Sequence, residues 1–352
     1  MFSRLTKTIL FTLGFFLILS ELFCVSYVFS DIDQNVSSNI VGVDLTSIKQ
    51  DVLSIENIGK PVGLLKYDVI SASIVDLNGD GLYEIIYLLP SGIYIAPYKH
   101  TAKPFFYRFS GFGTPVSFSV SPNSGWLAVN ILIPDVGLES CLLRFDGNTL
   151  RLVQDKINMW LCFLNDDTLV GQRFDVRNMF GNVFFIVKPN DNGMMFVNEK
   201  TIIPINSISN LFAFVDLNHN DIKETIFLDR SGTLNVYESN KLLWSKNVIA
   251  INNPASFLNI KTAIVDSQKT NEKSFWMAFN EPQQQLFDKI SLLKLFSNGD
   301  NYAIKSVSIK MNGRISGFNV LNGKIILIVT DRLEDPSGAG TTKIYEIEEP
   351  HI

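Results

Sequence analysis

Two stretches of this 352-residue chain repeat one pattern, and that repeat constrains the fold more than any other sequence feature. In residues 72–95 an apolar run ends at Asp76, and a turn, Glu84, a second apolar run and a Ser-Gly turn follow. Residues 212–236 repeat this order around Asp216 and Glu224. The apolar runs are short, rich in β-branched and aromatic residues, and bounded by turn-forming residues, which is typical of strands. The repeat therefore predicts an all-β protein.

Weaker copies of the pattern lie between and after these two. The turns that follow the first strand of each copy begin at positions 76, 121, 165, 216, 266 and 321, so successive turns are 44 to 55 residues apart. One four-stranded blade of a β-propeller takes about 40–50 residues. The sequence therefore predicts a β-propeller of six four-stranded blades. The alternative is seven blades, with residues 40–70 as a degenerate first blade.

The sixth copy contains three clear strand patterns, at 315–320, 324–329 and 342–347, so its sheet lacks one strand. Residues 40–58 contain two more strand-like runs, at 40–43 and 52–55. We expect this segment to supply the missing outer strand, because pairing the two ends of the chain closes the ring and removes open sheet edges.

The N-terminus reads as a targeting segment. Arg4 and Lys7 precede an apolar run from Ile9 to Leu19, which has the proportions of a secretory signal peptide. Glu21 interrupts the apolar stretch and disfavours a membrane span. We therefore expect residues 1–30 to be a signal peptide or an N-terminal anchor, residues 31–39 a polar tether, and residues 40–352 a single propeller domain. The protein would be secreted, periplasmic or at the cell surface, or alternatively anchored in the membrane by residues 9–29.

After removal of that segment, the remaining cysteines are Cys141 and Cys162. An even count in an oxidising compartment permits a disulfide. Both cysteines lie in apolar strand-like runs, however, where a free cysteine behaves as a small buried hydrophobe. The second interpretation is favoured, and the first stays open.

The first repeat carries a loop with the donor pattern of a calcium site. Asp76, Asn78 and Asp80 occupy positions 1, 3 and 5, and a glycine at position 6 permits a sharp turn. An EF-hand would need an acidic residue at position 12, where this chain has Tyr87, and helices on both sides. The acidic residue is instead Glu84, at position 9.

With strands on both sides, this loop resembles the FG-GAP/VCBS repeats of integrin alpha-subunit propellers and of many secreted bacterial proteins. The resemblance implies that calcium is held by the side chains of Asp76, Asn78, Asp80 and Glu84 together with the Leu82 carbonyl. It implies a second, weaker site at the corresponding residues of the other full repeat, which are Asp216, Asn218, Asn220, Ile222 and Glu224. There Asp221 replaces the glycine, and the ligand set has one carboxylate fewer.

The net charge and the absence of certain motifs exclude some classes of function. A net charge of −5 offers no basic field for a nucleic acid, so no nucleic-acid partner is expected. The three histidines form no zinc motif, and His219 lies at a non-ligand position of the second loop. The expected function is a non-catalytic binding module that contacts a protein or glycan partner through loops on one face. The alternative is a secreted carbohydrate-active enzyme, a lyase or hydrolase, and a further one is a structural subunit of an envelope complex.

Two more groups of residues bear on these alternatives. An enzyme of this kind could use an acid/base pair drawn from Asp135, Glu139, Asp166 and Asp167, although their spacing selects no pair. The aromatic run from Phe105 to Phe112 could form a binding platform. We expect it instead to pack between neighbouring blades, as alternating aromatic residues on an outer strand commonly do.

Overall fold

The computed structural model describes residues 52–55, 58–111, 113–121, 124–134, 136–165, 167–175, 179–190, 193–197, 207–239, 241–249, 260–267, 272–280, 289–299, 301–331 and 340–349. The chain divides into two units, Met1–Gln50 and Asp51–Ile352, and all described residues belong to the second. The predicted leader, the tether and the run at 40–43 lie outside the described residues. Within the described ranges, no helix is long and apolar enough to cross a membrane.

The described residues form six sheets, each built on an antiparallel set of four strands. Two strands precede the first blade: β1 (Val52–Ile55) and β2 (Gly63–Leu65). Blade 1 contains β3 (Ser71–Val75), β4 (Glu84–Leu89), β5 (Gly92–Pro97) and β6 (Phe105–Arg108). Blade 2 contains β7 (Thr114–Val120), β8 (Trp126–Ile133), β9 (Gly137–Phe145) and β10 (Leu150–Ile157). Blade 3 contains β11 (Trp160–Phe163), β12 (Leu169–Asp175), β13 (Met179–Asn190) and β14 (Gly193–Val197).

The second half of the ring follows the same plan. Blade 4 contains β15 (Ser207–Val215), β16 (Glu224–Asp229), β17 (Thr233–Glu238) and β18 (Lys241–Asn247). Blade 5 contains β19 (Lys261–Ser267), β20 (Glu272–Asn280), β21 (Lys289–Asn298) and β22 (Asn301–Lys310). Blade 6 contains β23 (Arg314–Leu321), β24 (Lys324–Asp331), β25 (Thr341–Glu348) and the N-terminal strand β2.

The first strands of the blades surround the centre of the molecule. β3, β7, β11, β15, β19 and β23 contact one another in that cyclic order, and β23 contacts β3 again. The molecule is therefore a six-bladed β-propeller. The prediction of an all-β propeller with six blades is confirmed, and the seven-blade alternative is wrong, because the two described strands before Ser71, β1 and β2, join blades 5 and 6 instead of forming a sheet of their own.

The core lies between neighbouring blades. The second strand of blade 1, β4, shows why the strands of this fold are apolar at consecutive positions instead of alternating ones. Ile86 and Leu88 of β4 pack against blade 2, whereas Ile85 and Tyr87 pack against blade 6. Successive strand residues point to opposite faces of a sheet, and a neighbouring blade covers each face. All six residues of β4 are buried as a result.

The ring is closed by β2, which pairs antiparallel with β25 and places Leu64 opposite Lys343. The outer strand of blade 6 thus comes from the N-terminal side of the domain, as expected, but the expected segment 40–58 is wrong. Its run at 52–55 is β1, which instead adds a fifth strand, parallel to β22, to blade 5. At Gly63 a Cβ would lie 2.8 Å from Cδ1 of Ile344, so a larger residue here would require that side chain to shift.

Asparagine side chains link several pairs of neighbouring blades. Asn130 of blade 2 accepts from the Leu161 N–H at 2.8 Å and donates to the Leu161 carbonyl at 3.0 Å. Asn165 of blade 3 makes the same pair of bonds with Phe214 of blade 4, at 2.9 and 2.6 Å. Asn319 of blade 6 donates to the Ile74 carbonyl of blade 1 at 2.7 Å. These amides satisfy backbone groups of first strands that have no strand partner on that side.

Cys141 and Cys162 are both free and buried. The disulfide alternative is therefore wrong, and the interpretation as small buried hydrophobes is confirmed. Burial raises the pKa of each thiol to about 12. Neither thiol is activated for chemistry at neutral pH.

The antiparallel order of the strands defines two ends of the ring. The first strands begin at one end, which we call the entry face, and the connections from second to third strands lie at this end too. The connections from first to second strands lie at the opposite end, which we call the Asp-loop face because both aspartate loops, 76–83 and 216–223, are there. The three longest connections between consecutive strands, 198–206, 248–260 and 332–340, lie almost entirely outside the described residues.

Candidate functional site

The first aspartate loop folds around the side-chain oxygens of Asp76. Asp76 Oδ1 accepts from the Gly79 and Asp80 N–H groups at 2.8 and 3.1 Å, and its Oδ2 accepts from the Gly81 N–H at 2.8 Å. Asp80 Oδ1 in turn accepts from the Leu82 N–H at 2.8 Å. Gly81 has a φ of +84°, a left-handed conformation that glycine adopts without strain. The side-chain oxygens of the loop therefore face inward and accept hydrogen bonds from its backbone.

Glu84 closes this loop from the start of β4. It is buried, with 8% of its surface exposed, and its Oε2 accepts from the Leu77 N–H at 3.0 Å. Burial raises the pKa of Glu84, and the nearby charges of Asp80 and Asp76 raise it further. His100 Nε2 lies 3.8 Å from Glu84 Oε1. The loop thus concentrates negative charge around a partly desolvated carboxylate.

The second aspartate loop reproduces four hydrogen bonds of the first. Leu217 N–H donates to Glu224 Oε2 at 2.7 Å, and Asn220 N–H donates to Asp216 Oδ1 and Asn218 Oδ1, each at 3.1 Å. Ile222 N–H donates to Asn220 Oδ1 at 2.8 Å. The sequence repeat therefore corresponds to a repeat of local structure.

The two loops differ in what approaches them from the neighbouring blade. Tyr302 of blade 5 donates its hydroxyl to Glu224 Oε1 at 2.6 Å. Lys273, also of blade 5, places Nζ 3.8 Å from Asp216 Oδ2. In the second loop, a tyrosine hydroxyl therefore donates to the carboxylate of Glu224, and an ammonium group partly neutralises that of Asp216. In the first loop, the side chain beside Glu84 is that of His100, which belongs to blade 1 itself.

Leu82, Ile222 and His219 of the two aspartate loops have exposed side chains. Leu82 and Ile222 point into solvent with 47% and 46% of their surfaces exposed, as expected for residues assigned a role through their carbonyls. His219 is exposed, with a φ of +60°, and occupies the turn as expected. Eight residues of the predicted calcium sites thus lie in the two loops, and Glu84 and Glu224 begin the strands that follow them.

These loops contain the oxygen ligands that calcium prefers, but the same oxygens already accept hydrogen bonds. Within the described ranges, no group of three or more histidine, cysteine, aspartate or glutamate side chains is arranged to hold a metal ion. In the first loop the acceptors face backbone N–H groups, and a cation would compete with those bonds. The chemistry of the first loop, with three carboxylates and one amide oxygen, fits Ca²⁺ better than that of the second, where Lys273 and Tyr302 stand close.

A channel runs into the centre of the ring and was not foreseen from the sequence. It encloses about 240 Å³ and is lined by residues of all six blades, most of them from the first strands. Ser71, Ser117, Ser119 and Thr262 contribute hydroxyls, and aromatic side chains such as Phe118 and Phe212 contribute apolar walls. A cavity with apolar walls and a few convergent polar groups is the usual form of a small-ligand site.

Lys261 is the charged side chain among those that line this channel. Its Nζ donates to Ser71 Oγ at 3.1 Å. Burial, and then the neighbouring guanidinium of Arg314, lower the pKa of Lys261 to about 7. A lysine with a strongly lowered pKa that lines a cavity is a candidate functional residue. The available sequence signal was weak, since Lys261 simply precedes an apolar strand.

Of the carboxylates considered for an enzyme, the two described ones, Glu139 and Asp167, do not come together. Glu139 lies on β9 next to the entry face, whereas Asp167 lies in the turn between β11 and β12 at the Asp-loop face, where it accepts from Ser121 at 2.6 Å. Carboxylates at opposite ends of the ring cannot act on one glycosidic bond. Asp135 and Asp166 are outside the described residues.

The aromatic run on β6 packs against blade 2, as expected. Phe105, Tyr107 and Phe109 contact the cluster that contains Leu127 and Leu143. Beside it, a groove of about 540 Å³ lies between blades 1 and 2 and is lined by Tyr107 and Phe109 among others. The predicted preference for core packing is confirmed at these three residues, and Phe112 lies outside the described residues.

No family model matches the chain, and no curated protein matches it in sequence. Solved structures resemble it in fold. The sialidase of Trypanosoma rangeli in complex with sialic acid is 10% identical, with a TM-score of 0.48 over 85% of this chain and 60% of that chain. AofleA from Arthrobotrys oligospora is 10% identical, with a TM-score of 0.45 over 80% of this chain and 89% of that chain. BBS1N in complex with ARL6DN is 10% identical, with a TM-score of 0.41 over 85% and 99%.

Proposed function

We propose that this propeller is a non-catalytic binding module that contacts a protein or glycan partner through its entry face. The observation that carries the proposal is the central channel, where Lys261 and serine hydroxyls meet in a cavity of about 240 Å³. Lys261 and Ser71 begin their strands at the entry face, which favours this end over the Asp-loop face.

The proposal assigns the aspartate loops a structural role. By their resemblance to FG-GAP/VCBS repeats, we propose that Ca²⁺ binds the first loop and stiffens blade 1. Support comes from Glu84, because its burial, and then the charges of Asp80 and Asp76, raise its pKa, and a bound cation would oppose all of these effects. We expect the second loop to bind calcium more weakly, because Lys273 and Tyr302 already satisfy its carboxylates.

The proposal also includes export. The basic and apolar composition of residues 4–19 supports a secreted, periplasmic or cell-surface protein. Residues 1–30 would be cleaved as a signal peptide or retained, in which case residues 9–29 would tether the propeller to the membrane.

One experiment separates binding from catalysis. The purified full chain is applied to a glycan array and used in a quantitative pull-down with purified extracellular proteins of its host, and it is incubated with a panel of polysaccharides. We expect saturable binding to at least one glycan or protein and no polysaccharide turnover. Turnover of any polysaccharide would replace the binding module with the carbohydrate-active enzyme. Absence of saturable binding in both formats would contradict the proposal.

A further inference from the structure

Three successive blades place polar residues at the first position of their first strands. Lys261 begins β19, Arg314 begins β23 and Ser71 begins β3, so all three lie at the entry face. Lys261 Nζ reaches past blade 6 and donates to Ser71 Oγ of blade 1. Lys261 and Arg314 therefore occupy equivalent positions of neighbouring blades at the entry face, and Lys261 also lines the channel.

The Arg314 guanidinium is held in place by groups of the β2–β3 connection. Its Nη2 donates to the Val69 carbonyl at 2.7 Å and lies 3.9 Å from Asp68 Oδ1. Asp68 thus faces the arginine, and the group of three charges is positive when Lys261 is protonated. A ligand anion beside Lys261 would oppose the two effects, burial and the Arg314 charge, that disfavour its ammonium form.

The channel beyond Lys261 is lined by neutral serine hydroxyls. Ser117 Oγ accepts from Asn130 Nδ2 at 2.9 Å, and Ser119 Oγ accepts from the Phe163 N–H at 2.8 Å. These bonds fix the two serine side chains while using their oxygens as acceptors. A serine hydroxyl both donates and accepts, so these positions suit a ligand that carries hydroxyl groups.

The volume restricts the size of the ligand. Sites for drug-sized molecules enclose roughly 300–1,000 Å³, so a cavity of about 240 Å³ suits a molecule no larger than a monosaccharide. We propose that the channel binds a carboxylate-bearing sugar, with its carboxylate on Lys261 and its hydroxyls along the serine residues. This inference rests on the proposed function and names the ligand class for the same face. The carboxylate belongs to a free sugar acid or to the end of an acidic glycan.

The test uses the full chain in calorimetric titrations with glucuronate and with glucose, its neutral counterpart. We expect glucuronate to bind the wild-type chain at least tenfold more tightly than glucose. Lys261→Met should abolish this preference, and Lys261→Arg should restore part of it. Lys241→Met, a change at an exposed lysine on the outer strand of blade 4, should leave both affinities unchanged. Equal affinities for the two sugars in the wild-type chain, or an undiminished preference in Lys261→Met, would overturn the inference.

A second measurement needs no variant. Reductive methylation of the wild-type chain at pH 7.5 is followed by peptide mass spectrometry, with and without glucuronate. We expect glucuronate, but not glucose, to slow methylation of Lys261 at least threefold and to leave Lys241 unaffected. Equal methylation of Lys261 in both sugars would count against the inference.

The outcomes distinguish this inference from the proposed function. If neither test detects glucuronate but the array or the pull-down shows saturable binding, the ligand class is wrong and the binding module stands. If glucuronate binds and an oligogalacturonate does not, the ligand is a free sugar acid, whereas equal binding assigns the end of an acidic glycan.

Discussion

The surroundings of the Lys261 amine disfavour its protonated form, and this affects how the stability of the fold depends on pH. The pKa of an ordinary lysine is near 10.4, whereas that of Lys261 is about 7. Between these values the unfolded chain binds a proton that the folded chain does not. Stability therefore rises with pH across this interval, because the unfolded state binds more protons than the native state.

The first prediction concerns this lysine. Lys261→Met replaces the titrating amine with an apolar side chain of similar length, so it should melt at a higher temperature than the wild-type chain at pH 6, by roughly 2 °C or more. The difference should shrink as the pH rises from 7 to 10. Thermal melts at four pH values measure it, with Lys241→Met as the exposed control. A difference that is constant with pH would show that Lys261 titrates as an ordinary lysine.

At the scale of single elements, the two aspartate loops have one backbone geometry and different charge. Asp80 and Asn220 occupy the same position and each accepts from the N–H two residues later, at 2.8 Å. That hydrogen bond, and then the bond from Asn78, lower the pKa of Asp80. The bond itself does not require a carboxylate, as Asn220 shows. The turn therefore does not require the negative charge at position 80, and a cation would compete for this carboxylate with the bonds from Leu82 and Asn78.

The second prediction uses this difference. Asp80→Asn keeps the acceptor of the turn and removes one charge, so the melting temperature in EDTA should change little. Bound Ca²⁺ at a hundredfold excess over its dissociation constant stabilises a protein by about 2.7 kcal/mol, and the variant should lose most of that gain. Asp146→Asn, in an exposed turn of blade 2 without a partner glutamate, is the control. Identical melts of the wild-type chain in Ca²⁺ and EDTA would reduce the first loop to an Asx-turn.

These elements show which parts of the molecule a sequence can predict. Strand positions followed from short apolar runs between turns, because burial on both faces by neighbouring blades demands continuous apolar sequence, as in β4. The aspartate loops followed from local spacing. The channel lysine did not, because its environment is built by residues 71 and 314, which are far away in sequence. The pairing of β1 with β22 was missed for the same reason, since a four-residue strand carries no signal for its partner.

At the scale of the whole molecule, closure of the ring depends on a short contact between the two ends of the domain. Three residues of β2 pair with β25, and the Val62 N–H just before them donates to the Ile344 carbonyl at 2.8 Å. Val62 exposes 59% of its surface, so its contribution to the fold comes through its backbone. Loss of this contact opens the edge of blade 6.

The third prediction tests that contact. Val62→Pro removes the N–H donor and should destabilise the domain by about 1–3 kcal/mol, because the Ile344 carbonyl loses its partner in a buried setting. Val62→Thr keeps the N–H and should change stability by less than about 0.5 kcal/mol. Urea denaturation of both variants measures the difference. Equal midpoints for Val62→Pro and the wild-type chain would show that the ring does not depend on this pairing.

The most direct test of the account asks which end of the ring meets the partner. Blade 2 offers a matched pair of exposed sites, Val136 at the entry face and Asn148 at the Asp-loop face. Each is changed to cysteine in a full chain that carries Cys24→Ser, since Cys141 and Cys162 are buried, and each is coupled to a polyethylene glycol maleimide. Binding is then measured on the glycan array and in the pull-down. We predict that the polymer at position 136 abolishes binding and that the polymer at position 148 leaves it intact. Loss of binding from position 148 alone would contradict the account.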